Sequence, residues 1–289
     1  MRNPENPKAE DRIVRELRFE LSAIPEGREA GKILREEYER RIAVLKNALG
    51  ALNLSEESLV IVPPVSERTD FGYGTDLDII FFGSQEQGDL LHSRLYEEGG
   101  LFADIDCIGQ ERLSDIKNKM PEFYDFLTDR RGKIPFHSLP ESIESSRDAG
   151  KRFLEQAESL EAKIRTVVSP EDKANLKEYR LAIGRQFIKE SAEKIKIVAT
   201  AFSGSMMEDM DRFSINSDLD IDLVIDSPDT AAEDNAREWL LYLKLKYALE
   251  YGIKADVFPT ELEHFKNMAA FDKDMTDFYQ RYFGVNFSE

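Results

Sequence analysis

Aspartates at alternate positions of an apolar segment occur twice in this chain, once in each half. The segment SINSDLDIDLVI contains Asp218 and Asp220, and the segment YGTDLDIIFF contains Asp76 and Asp78. Side chains at positions i and i+2 of a strand point to the same face, so each segment projects two carboxylates together. Two like charges this close are costly unless a cation lies between them. The pattern therefore predicts two strands that each carry a cation-binding acidic pair.

The segments around these two strands recur in the same order in both halves. A β-rich segment precedes each acidic strand, a helical segment follows it, and a strand with an Ala-Asp-aliphatic sequence comes next. This order predicts an internal duplication with a repeat of about 145 residues. Because the halves meet in the Pro- and Ser-rich stretch RGKIPFHSLPESIESS, we expect one domain over residues 1–140 and another over 141–289.

The Ala-Asp-aliphatic strands bring a third carboxylate to each half. These residues are Asp104 in the sequence FADI and Asp256 in the sequence KADV. Three carboxylates from adjacent strands are hard oxygen ligands of the kind that Mg²⁺ prefers, with coordination positions left for phosphates. Two such ions can hold both the attacking and the leaving oxygen of a phosphoryl displacement. The sequence thus predicts a site for Mg²⁺ or Mn²⁺ in each half.

A turn upstream of each acidic pair is the expected binding position of a triphosphate. In the second half the sequence SGSMM offers Gly204, which lets the backbone approach a ligand, and Ser205, which supplies a hydroxyl donor. In the first half Ser66 has the corresponding place, but Val65 stands where the second half has glycine. A β-branched side chain is less suited to close phosphate contact. We therefore expect the C-terminal half to be the principal nucleotide site.

The Gly-Ser turn, the Ser-Asp-Leu-Asp-Ile motif and the distant strand aspartate together resemble the DNA polymerase β-like nucleotidyltransferase superfamily. The likeness covers the core of each half. It implies an α/β (α+β) fold with two tandem units, each a small mixed sheet flanked by helices. It also implies an enzyme that uses Mg²⁺ or Mn²⁺ to move a nucleoside monophosphate from a nucleoside triphosphate to an acceptor hydroxyl.

The same resemblance implies roles for particular residues. Six carboxylates are implied to be catalytic and metal-binding: Asp76, Asp78 and Asp104 in the first half, and Asp218, Asp220 and Asp256 in the second. The third carboxylate of each half is also implied to assist deprotonation of the attacking group. Five further residues are implied to contact the nucleotide: Ser66, Thr75, Gly204, Ser205 and Ser217.

The acidity of the chain bears on its partners. The formal net charge is −18, which repels polyanions at long range. We therefore expect a small-molecule or protein acceptor, cationic molecules such as aminoglycosides being favoured, rather than nucleic acid. The sequence contains no apolar run long enough to span a bilayer and no apolar segment typical of a signal peptide near Met1. These features predict a cytoplasmic protein with no membrane partner.

Two alternative functions stay open on the sequence alone. The first is a catalytically silent tandem module that binds a nucleotide or a partner protein. The second is an enzyme that synthesises oligonucleotides, which the negative charge disfavours. Three carboxylates in each half favour the nucleotidyltransferase, active in one half or in both, because a silent half has no physical need to crowd acidic groups.

Overall fold

The structure is a computed structural model that divides into two compact units. Among the described residues, the division falls between Val167 and Val168. The N-terminal unit lies before this point and the C-terminal unit after it. The described residues are 25–61, 77–133, 139, 143–208, 211, 213, 217–227, 229–251 and 253–271.

Helices and strands alternate along the N-terminal unit. Its described helices are α1 (Pro25–Ala51), α2 (Gln85–Gly99), α3 (Gln110–Lys119), α4 (Pro121–Arg130) and α5 (Arg147–Val167). Its described strands are β1 (Leu59–Ile61), β2 (Leu77–Phe81) and β3 (Ala103–Cys107).

The core of the N-terminal unit lies between its sheet and helices α1 and α2. Helix α1 buries Leu34, Ile42, Leu45 and Leu49, whose spacings of eight, three and four residues place them on one face. Helix α2 begins at a capping box formed by Ser84 and ends before Gly100, whose φ of 60° is readily adopted by glycine. The apolar periodicity of the sequence therefore fixes which side of each helix faces the sheet.

The three described strands of the N-terminal unit form one mixed sheet in the order β1-β2-β3. Strand β1 pairs antiparallel with β2, and β2 pairs parallel with β3. In this register Asp78 lies directly opposite Asp104. The sheet therefore brings together the second aspartate of the acidic pair and the aspartate of the following strand.

The C-terminal unit contains a second set of helices and strands. Its described helices are α6 (Pro170–Ser191), α7 (Ser205–Glu208), α8 (Thr230–Tyr251) and α9 (Leu262–Phe271). Its described strands are β4 (Ile197–Phe202), β5 (Leu219–Ile225) and β6 (Ala255–Glu261).

The sheet of the C-terminal unit has the order β4-β5-β6 and the same directions as the first sheet. Strand β4 pairs antiparallel with β5, and β5 pairs parallel with β6. Along β5, Leu219, Ile221 and Leu223 are buried and alternate with half-buried aspartates. Helices α6, α8 and α9 pack around this sheet. One face of β5 thus belongs to the core, while the alternate side chains are acidic.

The described strands of the two units have the same order and the same relative directions. In each sheet the central strand carries the acidic pair and the parallel neighbour carries the third aspartate. The mixed α/β class is confirmed by these two three-stranded sheets and their flanking helices.

Helix α5 belongs to the N-terminal unit and packs against α1 and α2. The side chains of Phe153 and Ala157 on α5 are buried. The N-terminal unit therefore extends to Val167.

None of the described helices has the length and apolar character that crossing a membrane requires.

Candidate functional site

Strands β5 and β6 position three carboxylates at one end of the C-terminal sheet. Asp220 lies on β5 directly opposite Asp256 on β6, and the two strands run parallel. Directly paired residues project from the same face of a sheet. Asp218 immediately precedes β5, and the backbone N–H of its neighbour Leu219 donates to the Lys254 carbonyl at 2.9 Å. The sheet register thus holds Asp218 beside the paired aspartates.

The turn after β4 lies against Asp220. Gly204 has a φ of 70°, a conformation that glycine adopts without strain. A Cβ atom at this position would overlap Oδ2 of Asp220, so only glycine allows the close approach. The backbone N–H of Ser203 donates to the Asp220 carbonyl at 3.3 Å. The Gly-Ser turn and the acidic strand are therefore adjacent.

The Asp218 carboxyl lies in an unfavourable environment for a negative charge. Burial, together with the neighbouring charges of Asp256 and Asp220, raises its pKa from the usual 3.8 to about 7, although Lys254 and Arg180 oppose the shift. Burial contributes most, because removing an ion from water disfavours its charged form. A group shifted this far is a marker of functional sites as well as of structural charge networks.

Two basic residues near the carboxylates were not identified from the sequence. Nζ of Lys254 lies 3.9 Å from Oδ1 of Asp256, and the lysine side chain is mostly buried. Lys254 stands two residues before Asp256, and this spacing is a signal that sequence reasoning had available. Arg180 is buried on α6, and its guanidinium donates to the Ser217 carbonyl. No local pattern links Arg180 to the acidic strand, since it comes from a distant helix.

The remaining predicted residues of the C-terminal unit lie next to this group. Ser205 begins the short helix α7 directly after Gly204. The carbonyl of Ser217 accepts the hydrogen bond from Arg180, which anchors the backbone just before Asp218. Asp222, the third aspartate of the alternation, accepts a hydrogen bond of 2.7 Å from the Ser203 hydroxyl. Asp222 therefore secures the turn.

The N-terminal unit repeats only part of this site within the described residues. Asp78 is half-buried and lies opposite Asp104, which is exposed. Asp106 follows two positions later, with its Oδ1 3.6 Å from Nη1 of Arg112. The other predicted residues of this half, Ser66, Thr75 and Asp76, lie outside the described residues.

The carboxylates of the C-terminal unit fit a hard divalent cation in their chemistry. Asp218, Asp220 and Asp256 supply only oxygen donors. Burial, and after it repulsion from Asp256 and Asp220, raises the pKa of Asp218, and a bound cation would stabilise its charged form. The three carboxylates do not form a closed coordination shell: in the part of the chain that the structure describes, no group of three or more His, Cys, Asp or Glu residues is arranged to hold a metal ion.

A cavity of about 480 Å³ is lined by residues other than these carboxylates. It is found in the N-terminal unit beside α1 and α5, and it is bordered by Glu37 and Arg40. Arg40 donates to both carboxylate oxygens of Glu37, at 2.6 and 2.7 Å. The cavity lining contains none of the residues predicted from the sequence.

The chain was compared with protein-family models, curated proteins and solved structures, and none of the three comparisons finds a match.

Proposed function

We propose that the protein is a metal-dependent nucleotidyltransferase whose principal site is in the C-terminal unit. The observation that carries this proposal is the group formed by Asp218, Asp220 and Asp256 next to the turn at Gly204. The group combines hard oxygen ligands with a backbone turn free of a side chain. This combination suits phosphate bound through a divalent cation.

The residues divide the tasks of binding and chemistry between them. Asp218, Asp220 and Asp256 would hold Mg²⁺ or Mn²⁺, and Gly204 and Ser205 would contact the triphosphate. When bound, divalent ions would offset the charge of the phosphates and so favour transfer of the nucleotidyl group. The Asp218 carboxyl is largely withdrawn from water, which strengthens electrostatic interactions at that group.

The acceptor hydroxyl must lose a proton as it attacks the α-phosphorus. In this proposal the carboxylate of Asp256 accepts that proton, and the bond between the α-phosphorus and the pyrophosphate oxygen breaks. Lys254, at 3.9 Å from Oδ1 of Asp256, offsets part of the negative charge that Asp220 and Asp256 place together. Arg180 holds the Ser217 carbonyl and so positions the backbone that carries Asp218.

The nature of the acceptor follows from charge. A net charge of −18 favours a small molecule or a protein, and cationic acceptors over nucleic acid. A cytoplasmic location would supply both the nucleoside triphosphate and the divalent cation. The tandem arrangement of nucleotidyltransferase units is part of the same proposal, supported by the shared strand order and aspartate register of the two sheets.

One observation favours a second candidate function, a catalytically silent module that binds a nucleotide or a partner protein. Lys254 lies among the carboxylates and offsets their charge without a metal ion. A lysine in this place can stabilise an acidic strand that has no catalytic task. The two candidates differ in product formation, because only the enzyme releases pyrophosphate.

The test uses the full chain with ATP labelled at the α-phosphate and Mg²⁺. ATP binding is measured by calorimetry, and pyrophosphate release is measured with an aminoglycoside as a cationic acceptor. The enzyme proposal predicts that wild-type protein binds ATP only with Mg²⁺ and that the double variant Asp218→Asn/Asp220→Asn does not. Asp226→Asn, on the same unit but ion-paired with Lys196 at the surface, is the matched control. If Asp218→Asn/Asp220→Asn binds ATP as tightly as Asp226→Asn does, the proposed site in the C-terminal unit is refuted.

A further inference from the structure

Phe258 is an exposed aromatic residue on the strand that carries Asp256. Its side chain is 51% exposed, whereas most aromatic residues of this unit that the structure describes are buried or half-buried. A single exposed apolar residue is ordinary on a protein surface, so exposure alone carries no argument. The position of Phe258 relative to the carboxylates does.

The register of the sheet places Phe258 on the same face as the carboxylates. Pairing between β5 and β6 is continuous from Leu219 opposite Ala255 to Ile225 opposite Glu261, so the alternation of side chains is uninterrupted. Phe258 stands two positions after Asp256 and directly opposite Asp222. The Cα atoms of Asp256 and Phe258 are therefore about 6.6 Å apart along one face, given the usual rise of a parallel strand.

We infer that Phe258 is the surface on which the nucleobase of the substrate stacks. This inference rests on the proposed function, which places the phosphates at Asp220, Asp256 and the turn at Gly204. The sugar of a nucleotide separates its base from its α-phosphate, so the base can reach a residue that lies two positions along the strand from the phosphate site. An exposed phenyl ring at that distance offers a flat apolar face, and every base has a complementary face.

The N-terminal unit provides an internal contrast. Its residue two positions after Asp104 is Asp106, with Arg112 3.6 Å away. A charged pair in this place offers no aromatic face for a base. The aromatic residue is thus found in the unit whose turn contains Gly204, and both features assign nucleotide binding to the C-terminal unit.

The inference specifies how the base is held, in a binding mode that tolerates several bases. Stacking on a phenyl ring does not read the hydrogen-bonding edge of a base. We therefore expect ATP and GTP to bind with affinities that differ by less than about tenfold. Inorganic tripolyphosphate should bind more weakly than either, because it lacks a base.

The test compares ATP with inorganic tripolyphosphate on the full chain in the presence of Mg²⁺. Phe258→Ala should weaken ATP binding by about tenfold, as expected for the loss of one base stack, and leave tripolyphosphate binding unchanged. Phe258→Trp should bind ATP about as tightly as wild-type protein does. Phe258→Leu, which keeps apolar volume but has no aromatic face, should bind ATP as weakly as Phe258→Ala does. Phe102→Ala, at a residue 55% exposed in the N-terminal unit, is the matched control.

The possible results separate this inference from the function on which it rests. If wild-type protein and Phe258→Ala bind ATP equally, or if Phe258→Ala weakens both ligands equally, stacking on Phe258 is refuted and the nucleotidyltransferase proposal stands. If wild-type protein binds neither ATP nor tripolyphosphate with Mg²⁺, both proposals are refuted. Upfield shifts of the adenine protons on binding, lost in Phe258→Leu, would support the stack directly, because ring currents act only on a base that faces the ring.

Discussion

Ionisation of Asp218 should make the metal-free C-terminal unit less stable at neutral and alkaline pH. Its pKa is about 7 in the folded chain, against 3.8 for an ordinary aspartate. A raised pKa means that the folded state holds the proton more tightly than the unfolded state. The stabilisation from this proton is therefore complete below about pH 4 and is lost as the pH rises through 7.

The size of the effect follows from the shift. Each pKa unit corresponds to about 1.4 kcal/mol, so a shift of about three units changes the free energy of unfolding by up to about 4 kcal/mol. This value is a large part of the roughly 5–15 kcal/mol that stabilises a typical domain. Asn is close to protonated Asp in shape and does not ionise. Asp218→Asn should therefore stabilise the metal-free protein at pH 8, by an amount on the order of 10 °C in Tm, and have little effect at pH 4.

The fluorescence of Trp239 provides a selective assay. It is the only tryptophan in the chain, and it is buried on α8 of the C-terminal unit. Thermal and urea denaturation of wild-type protein and Asp218→Asn would be followed from pH 4 to pH 8 in the presence of EDTA. Asp234→Asn, an exposed position on the same helix as Trp239, is the control. An equal effect of Asp218→Asn at both ends of this pH range, or no effect at either, would refute the assignment of the raised pKa.

Three further predictions concern the cation, the turn and the division between the units. Mg²⁺ or Mn²⁺ should raise the Tm of wild-type protein at pH 8 and leave that of Asp218→Asn/Asp220→Asn unchanged; a metal-independent Tm in both would count against a cation site. Gly204→Ala should lower the free energy of unfolding, measured by calorimetry, by about 2 kcal/mol or more, because Gly204 has a positive φ and an added Cβ would overlap Asp220. Gly50→Ala is the control and should not destabilise the protein, because a Cβ at Gly50 meets no atom within 4 Å. Asp78→Asn should bind labelled ATP as tightly as wild-type protein does, whereas Asp218→Asn/Asp220→Asn should not bind it. Loss of ATP binding in Asp78→Asn alone would place the principal site in the N-terminal unit.

The pairing of the aspartates was predictable because strands have a strict period of two. Alternation of Asp218 and Asp220 with apolar residues requires one face of the strand to be buried, and a shift by one residue would reverse the faces. The repeat of this pattern around Asp78 indicated that a single arrangement of strands serves both halves. Asp220 opposite Asp256 and Asp78 opposite Asp104 are the structural outcome.

The partners of these elements were less predictable. Helix α5 has an apolar face that the sequence reveals, but periodicity does not say which neighbour covers that face. It packs against α1 and α2 and so belongs to the N-terminal unit. Arg180 reaches the site from α6 for the same reason: its contact with Ser217 depends on how a helix packs on the sheet, and no local spacing encodes that packing.

The differences between the two units explain how one strand arrangement can support unequal sites. The shared register fixes only the paired aspartates, because those positions are set by the sheet itself. Residues two positions further along are free to differ without disturbing the pairing, and there one unit has Phe258 and the other has Asp106. The sequence upstream of the acidic strand differs in the same sense, with Gly204 in one half and Val65 at the corresponding position of the other. An aromatic face and an open backbone both favour a nucleotide, so selection for nucleotide binding in one unit alone would produce this pair of differences together.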